Sequence, residues 1–111
     1  MLILSYMKIK LFPLLLIASL AGATEPLISS LLPRGGQAGS TQEIVITGQR
    51  LTDSEEIFFY TDGISAENIV VEKGKKLTAS FTIAKEAKIG QHELRLRTKQ
   101  GVSRLYTFWV G

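Results

Sequence analysis

Two unlike patterns divide the chain. Residues 11–23 form an apolar run with neither charge nor period, whereas after Pro26 short apolar-polar alternations are separated by glycine, aspartate and lysine turns. Alternation marks strands, because successive strand side chains point to opposite faces. The clearest case is residues 77–83, where Leu77, Ala79, Phe81 and Ile83 share one face and Thr78, Ser80 and Thr82 the other. Residues 91–98 repeat it, with Leu94 and Leu96 inward and Glu93, Arg95 and Arg97 outward. Further strands are expected over residues 27–32, ended by Pro33, over 43–47, closed by Gly48, and over 57–60, 68–72 and 102–110. No segment carries a 3.6-residue apolar period, and residues 84–89 have room for one helical turn at most. About seven strands and no helix predict an all-β, immunoglobulin-like sandwich. Its expected core is Ile44, Ile46, Leu51, Ile57, Phe59, Ile69, Val71, Leu77, Phe81, Ile83, Leu94, Leu96, Phe108 and Val110.

The unpatterned N-terminus is a different kind of segment. Lys8 and Lys10 precede the apolar stretch, and Ala21-Gly22-Ala23 supplies the small residues that a signal peptidase needs. Residues 1–23 therefore read as a signal peptide cleaved after Ala23. The alternative is an uncleaved anchor, but the uncharged run would span only about 20 Å as a helix, against about 30 Å of bilayer core. Residues 24–111 remain as one small domain.

Composition changes the picture in two places. The chain has 13 basic and 10 acidic residues, but Lys8 and Lys10 belong to the leader, so the exported part is almost balanced and gains no general affinity for nucleic acid. Cysteine is absent, which removes disulfides, thiol metal sites and an N-terminal lipid anchor. Stability must come from the core.

Candidate chemistry is sparse. His92 is the single histidine, so a histidine-based triad or a multi-histidine metal site has no second member. It occupies the place, two residues before an inward core residue, where immunoglobulin-like sandwiches carry a tyrosine bonded back to a nearby turn, and a structural role is expected. Asp53, Glu55, Glu56 and Asp62 fit no complete calcium loop and read as a solvated acidic loop. Short loops leave little cleft for the paired carboxylates of a glycosidase. Lys73, Lys75 and Lys76 read as a solvated hairpin tip, and residues 34–39 lack the lysine-serine ending of a phosphate loop. No catalytic, cofactor or metal residue is assigned. If Phe108 and Val110 face inward, Trp109 points outward, and Leu105, Arg95 and Arg97 are expected beside it as a contact surface. That surface would meet either an adjacent domain or a separate partner.

Spacing of particular residues adds a family. Ser30-x-x-Pro33-x-Gly35-Gly36-x-x-Gly39, Ile44-x-Ile46-x-Gly48-x-x-Leu51, and Gly90-x-His92-x-Leu94-x-Leu96-x-Thr98-x-x-Gly101-x-Ser103 with Phe108-x-Val110 together resemble an IPT/TIG domain over most of residues 27–110. Gly35, Gly36 and Gly39 would allow positive φ in a first tight turn, and Gly101 would serve the last hairpin. More narrowly, Pro33-Arg34-Gly35-Gly36-Gln37 with Phe59-Tyr60, Arg95-Leu96-Arg97-Thr98 and Thr107-Phe108-Trp109-Val110-Gly111 resembles a domain near the N-terminus of large exported planctomycete and verrucomicrobial proteins in which pre-peptidase C-terminal-type domains follow. The resemblance implies no catalytic residues. It implies an exported module at the bacterial cell envelope that contacts protein or a neighbouring domain, with a carbohydrate-binding accessory domain or an orphaned fragment as alternatives. DNA binding, known in parts of the family, is disfavoured by the leader and the balanced charge.

Overall fold

In a computed structural model of the chain, residues 24–111 are described. The signal peptide expected over residues 1–23, with Ala21 and Ala23, lies outside them. Nine strands follow one another: β1 (Leu27–Leu32), β2 (Gly35–Gly36), β3 (Thr41–Gln49), β4 (Ser54–Phe59), β5 (Ile64–Glu72), β6 (Lys76–Ile83), β7 (Gly90–Thr98), β8 (Gly101–Val102) and β9 (Tyr106–Val110). A four-stranded sheet has the order β1-β3-β6-β5, and a five-stranded sheet has β2-β9-β7-β4 with β8 added on β7. The two form an all-β sandwich of the immunoglobulin-like kind. At Pro33 and Arg34 the chain crosses between sheets, from antiparallel pairing on β3 to parallel pairing of Gly35 with Trp109.

Alternation places the core. On β6 Leu77, Ala79, Phe81 and Ile83 are buried, and they face Ile57, Leu94, Leu96, Phe108 and Val110 of the other sheet. Phe81 meets Phe59 and Phe108 edge-to-face at centroid distances of 5.2 and 5.1 Å, so one ring of the four-stranded sheet is held by two of the other. Phe59, Ile69 and Val71 pack only partly buried on the core, which Leu31, Ile64 and Ala87 complete.

Several expected boundaries shift, each for a local reason. The strand expected over 68–72 begins at Ile64, because a bulge between Glu67 and Val70 reverses the alternation: Ile64 and Ala66 face in before it, Ile69 and Val71 after it. Asn68 takes the positive φ of 56° within that bulge. The single strand expected over 102–110 is two strands, β8 and β9. Buried Ser103 separates them, its hydroxyl accepting the Leu96 N–H at 2.9 Å in place of a ladder bond. Gly35 and Gly36 do not form a positive-φ turn; among the first-turn glycines only Gly39 does, at φ 82°. They are extended and closely approached instead. A Cβ on Gly35 would lie 2.5 Å from the Trp109 carbonyl oxygen, and one on Gly36 would meet Ile83 Cδ1 at 2.9 Å. Gly48, inside β3 rather than after it, faces the Leu27 carbonyl so closely that any side chain would overlap it.

Candidate functional surface

The outward face of the five-stranded sheet collects the exposed side chains with most chemistry. On β7 the buried His92, Leu94, Leu96 and Thr98 alternate with outward Glu93, Arg95 and Arg97, with Gln91 leading them. Burial of Phe108 and Val110 turns Trp109 outward, 47% exposed, directly opposite Gln91. Burial of Ile57 turns Phe58 outward, and Tyr60 just past the strand end is exposed. Ile89 stands exposed before β7, at the same end of the face as Trp109.

Register decides which of these meet. Leu94 pairs with Tyr106 and Gln91 with Trp109, so Arg95 lies beside exposed Leu105 but roughly 13 Å along the strand from the level of Trp109. The expected cluster of Trp109 with Leu105 and Arg95 or Arg97 is therefore corrected: all share the outward face, but Leu105 and the two arginines stand away from the indole. Arg95 stacks over Tyr60, with its guanidinium carbon 6.0 Å from the ring centroid, and donates from Nη1 to the Ser103 carbonyl at 3.2 Å. Its Nε–H is buried with no acceptor. Arg97 is held by two carboxylates, Nη1 on Glu55 at 2.5 Å and Nη2 on Glu56 at 3.2 Å. Two consecutive glutamates reach one guanidinium because a bulge between Ser54 and Glu56 interrupts the alternation.

The four acidic residues do not gather into one loop, because β4 runs between Asp53 and Asp62. Asp53 accepts from Gln100 Nε2 at 3.2 Å, while Asp62 lies past the far end of β4. Among the described residues no three His, Cys, Asp or Glu side chains gather as a metal group. At the hairpin of β5 and β6, Lys76 pairs with Glu72 at 3.5 Å. Gly101 opens β8 opposite Thr98.

His92 is fully buried on the inner side of β7. Its Nε2–H donates to the Lys88 carbonyl at 2.6 Å, and the Thr61 hydroxyl donates to Nδ1 at 2.5 Å. One ring thus ties the loop after β4 to the loop before β7. Those two loops flank exposed Tyr60, which divides two recesses. One, of about 320 Å³, is lined by Tyr60, Thr61, Gln91, Glu93, Arg95 and Leu105. The other, of about 380 Å³, is lined by Tyr60, Thr61, Asp62, Glu86 and Lys88. Sequence reasoning placed Tyr60 only in an aromatic strand. Its outward direction follows from the inward Ile57 and Phe59, but the recesses depend on loops whose approach carries no sequence pattern.

The IPT/TIG domain model matches residues 26–109. The chain belongs to the IPT/TIG family. No curated protein sequence matches it. Among solved structures, this IPT/TIG domain is similar to SGBP-B from a complex xyloglucan utilization locus in Bacteroides uniformis, at TM-score 0.54 and 23% identity over 76% of this chain and 22% of that one. It is also similar to the Bacteroides ovatus mixed-linkage glucan utilization locus SGBP-B in complex with mixed-linkage heptasaccharide, at TM-score 0.50 and 17% identity over 79% and 22%. A third is the Yersinia pseudotuberculosis adhesin InvE, at TM-score 0.52 and 14% identity over 81% and 26%. Identities this low speak for the fold alone. The IPT/TIG chain spans about a quarter or less of each of these proteins.

Proposed function

We propose that this IPT/TIG domain is a non-catalytic contact module of an exported bacterial envelope protein, docking a protein or a neighbouring domain through the outward face of its five-stranded sheet. The observation that carries the reading is Trp109, an indole left about half exposed at a position whose strand is paired on both sides, with exposed Ile89 at the same end. Aromatic side chains in that setting are typical anchors of contact surfaces. Leu105 and Arg95 extend the surface along the face, whereas Arg97 is occupied by Glu55 and Glu56. Of the known structures of similar fold, one is in complex with a mixed-linkage heptasaccharide and one is an adhesin, so the fold is found in proteins that bind. Export rests on the leader, and His92, with both ring nitrogens engaged, serves as a structural tie.

The test is site-specific photo-crosslinking in the producing cell. A crosslinker in place of Trp109 or Ile89 should give one discrete product, and the same group in place of exposed Thr82, on the opposite sheet, should give none. Equal products from both faces, or none from Trp109, would remove the reading.

A further inference from the structure

A second surface, centred on Tyr60 rather than Trp109 and sharing Arg95 and Leu105 with the docking face, has the chemistry of a ligand groove. We infer that the two recesses on either side of Tyr60 form a binding groove for a neutral oligosaccharide.

The groove is built rather than incidental. Tyr60 is 59% exposed, the highest value among the aromatic rings of the outward face, and forms the shared wall of both recesses. Each recess is within the usual size for small-ligand sites, about 300–1,000 Å³. Behind them, buried His92 bonds Thr61, which lines both recesses, with one ring nitrogen and the carbonyl of Lys88, which lines the second, with the other. The loops carrying Thr61, Asp62, Glu86 and Lys88 are thereby fixed relative to β7 before any ligand arrives, which lowers the ordering cost of binding.

Donors and acceptors then select the ligand. Glu93, Asp62 and Glu86 accept, Arg95 and Lys88 donate, and Gln91 and Thr61 do both. Arg95 brings its guanidinium to the groove in a side chain already oriented by Tyr60 and Ser103. Three carboxylates against two cations disfavour an anionic polymer, and an apolar peptide face would leave most of these groups unpaired, at a cost for each. Sugar hydroxyls donate and accept at once, so they suit such a mixed set. The C–H face of a pyranose ring would lie against Tyr60 on the face that Arg95 does not cover. A chain of sugars suits two recesses meeting at one ring better than a single sugar does.

The experiment is a titration of the isotope-labelled full chain with neutral gluco-, xylo- and manno-hexasaccharides, followed by backbone amide shifts. The expected result is saturable movement of the Tyr60, Thr61, Glu86, Lys88, Gln91 and Glu93 amides with at least one of them. Tyr60→Ala should weaken that binding by about tenfold or more, and Gln91→Ala with Glu93→Ala should do so if Tyr60→Ala fails to fold. Trp109→Ala should bind normally, which separates this groove from the docking patch. Three results would overturn the inference: no amide movement with any hexasaccharide, stronger binding of polygalacturonate than of neutral sugars, or shifts confined to Trp109 and Ile89.

Discussion

A buried imidazole with both nitrogens engaged is hard to replace, and His92 shows why a lone histidine in a sandwich is a structural residue. Its place two positions before Leu94, on the inward parity of β7, was readable from alternation; its partners Thr61 and Lys88 were not, since each belongs to a loop. Removing the ring deletes packing and leaves the Thr61 hydroxyl and Lys88 carbonyl without their partner. His92→Ala should lower unfolding free energy by about 1–3 kcal/mol, measured by urea denaturation with fluorescence of Trp109. A loss well below that range would mean that water replaces the ring without cost. Gly48 makes the opposite kind of point. The sequence pattern suggested a strand terminator, but the need there is space, because β1 crosses against it through the Leu27 carbonyl. Gly48→Ala should displace β1 from β3, seen as faster amide exchange at Leu31 and Ile46.

Strands were legible wherever the alternation ran unbroken and misread wherever a bulge reversed it. Residues 77–83 and 91–98 are regular, and their predicted faces match the burial of β6 and β7. In β5 the period breaks at Asn68, so only its second half was recognisable as a strand. The bulge at Ser54 to Glu56 likewise hid the fact that Glu55 and Glu56 share Arg97. Two tests follow at this scale. Asn68→Val places a β-branched residue at φ 56° and should cost about 1–2 kcal/mol, whereas Asn68→Gly should change stability little; equal effects of both would show that the positive φ is not the constraint. Glu55→Ala should cost at most about 1 kcal/mol and less in high salt, since the Arg97 and Glu55 side chains are 44% and 37% exposed. These pairs orient the face more than they stabilise the fold.

For the molecule as a whole, the absence of cysteine concentrates stability in the contact between sheets. Phe81 lies at its centre, fully buried in a central strand of one sheet and held edge-to-face by Phe59 and Phe108 of the other. Truncating a buried phenylalanine costs about 3–5 kcal/mol through lost transfer energy and the cavity left behind. Domains of this kind hold about 5–15 kcal/mol in total, so Phe81→Ala should consume a large share of the stability and separate the sheets cooperatively. Trp109 provides the contrast within the same sandwich. It is just as aromatic, but alternation turns it to solvent, and Trp109→Ala should change stability by less than about 1 kcal/mol. The two variants, unfolded side by side in urea and followed by far-ultraviolet circular dichroism, separate an element of the core from an element of the surface. If Trp109→Ala proved as destabilising as Phe81→Ala, the outward face would be part of the domain's own packing, and its role in docking would fall with that result.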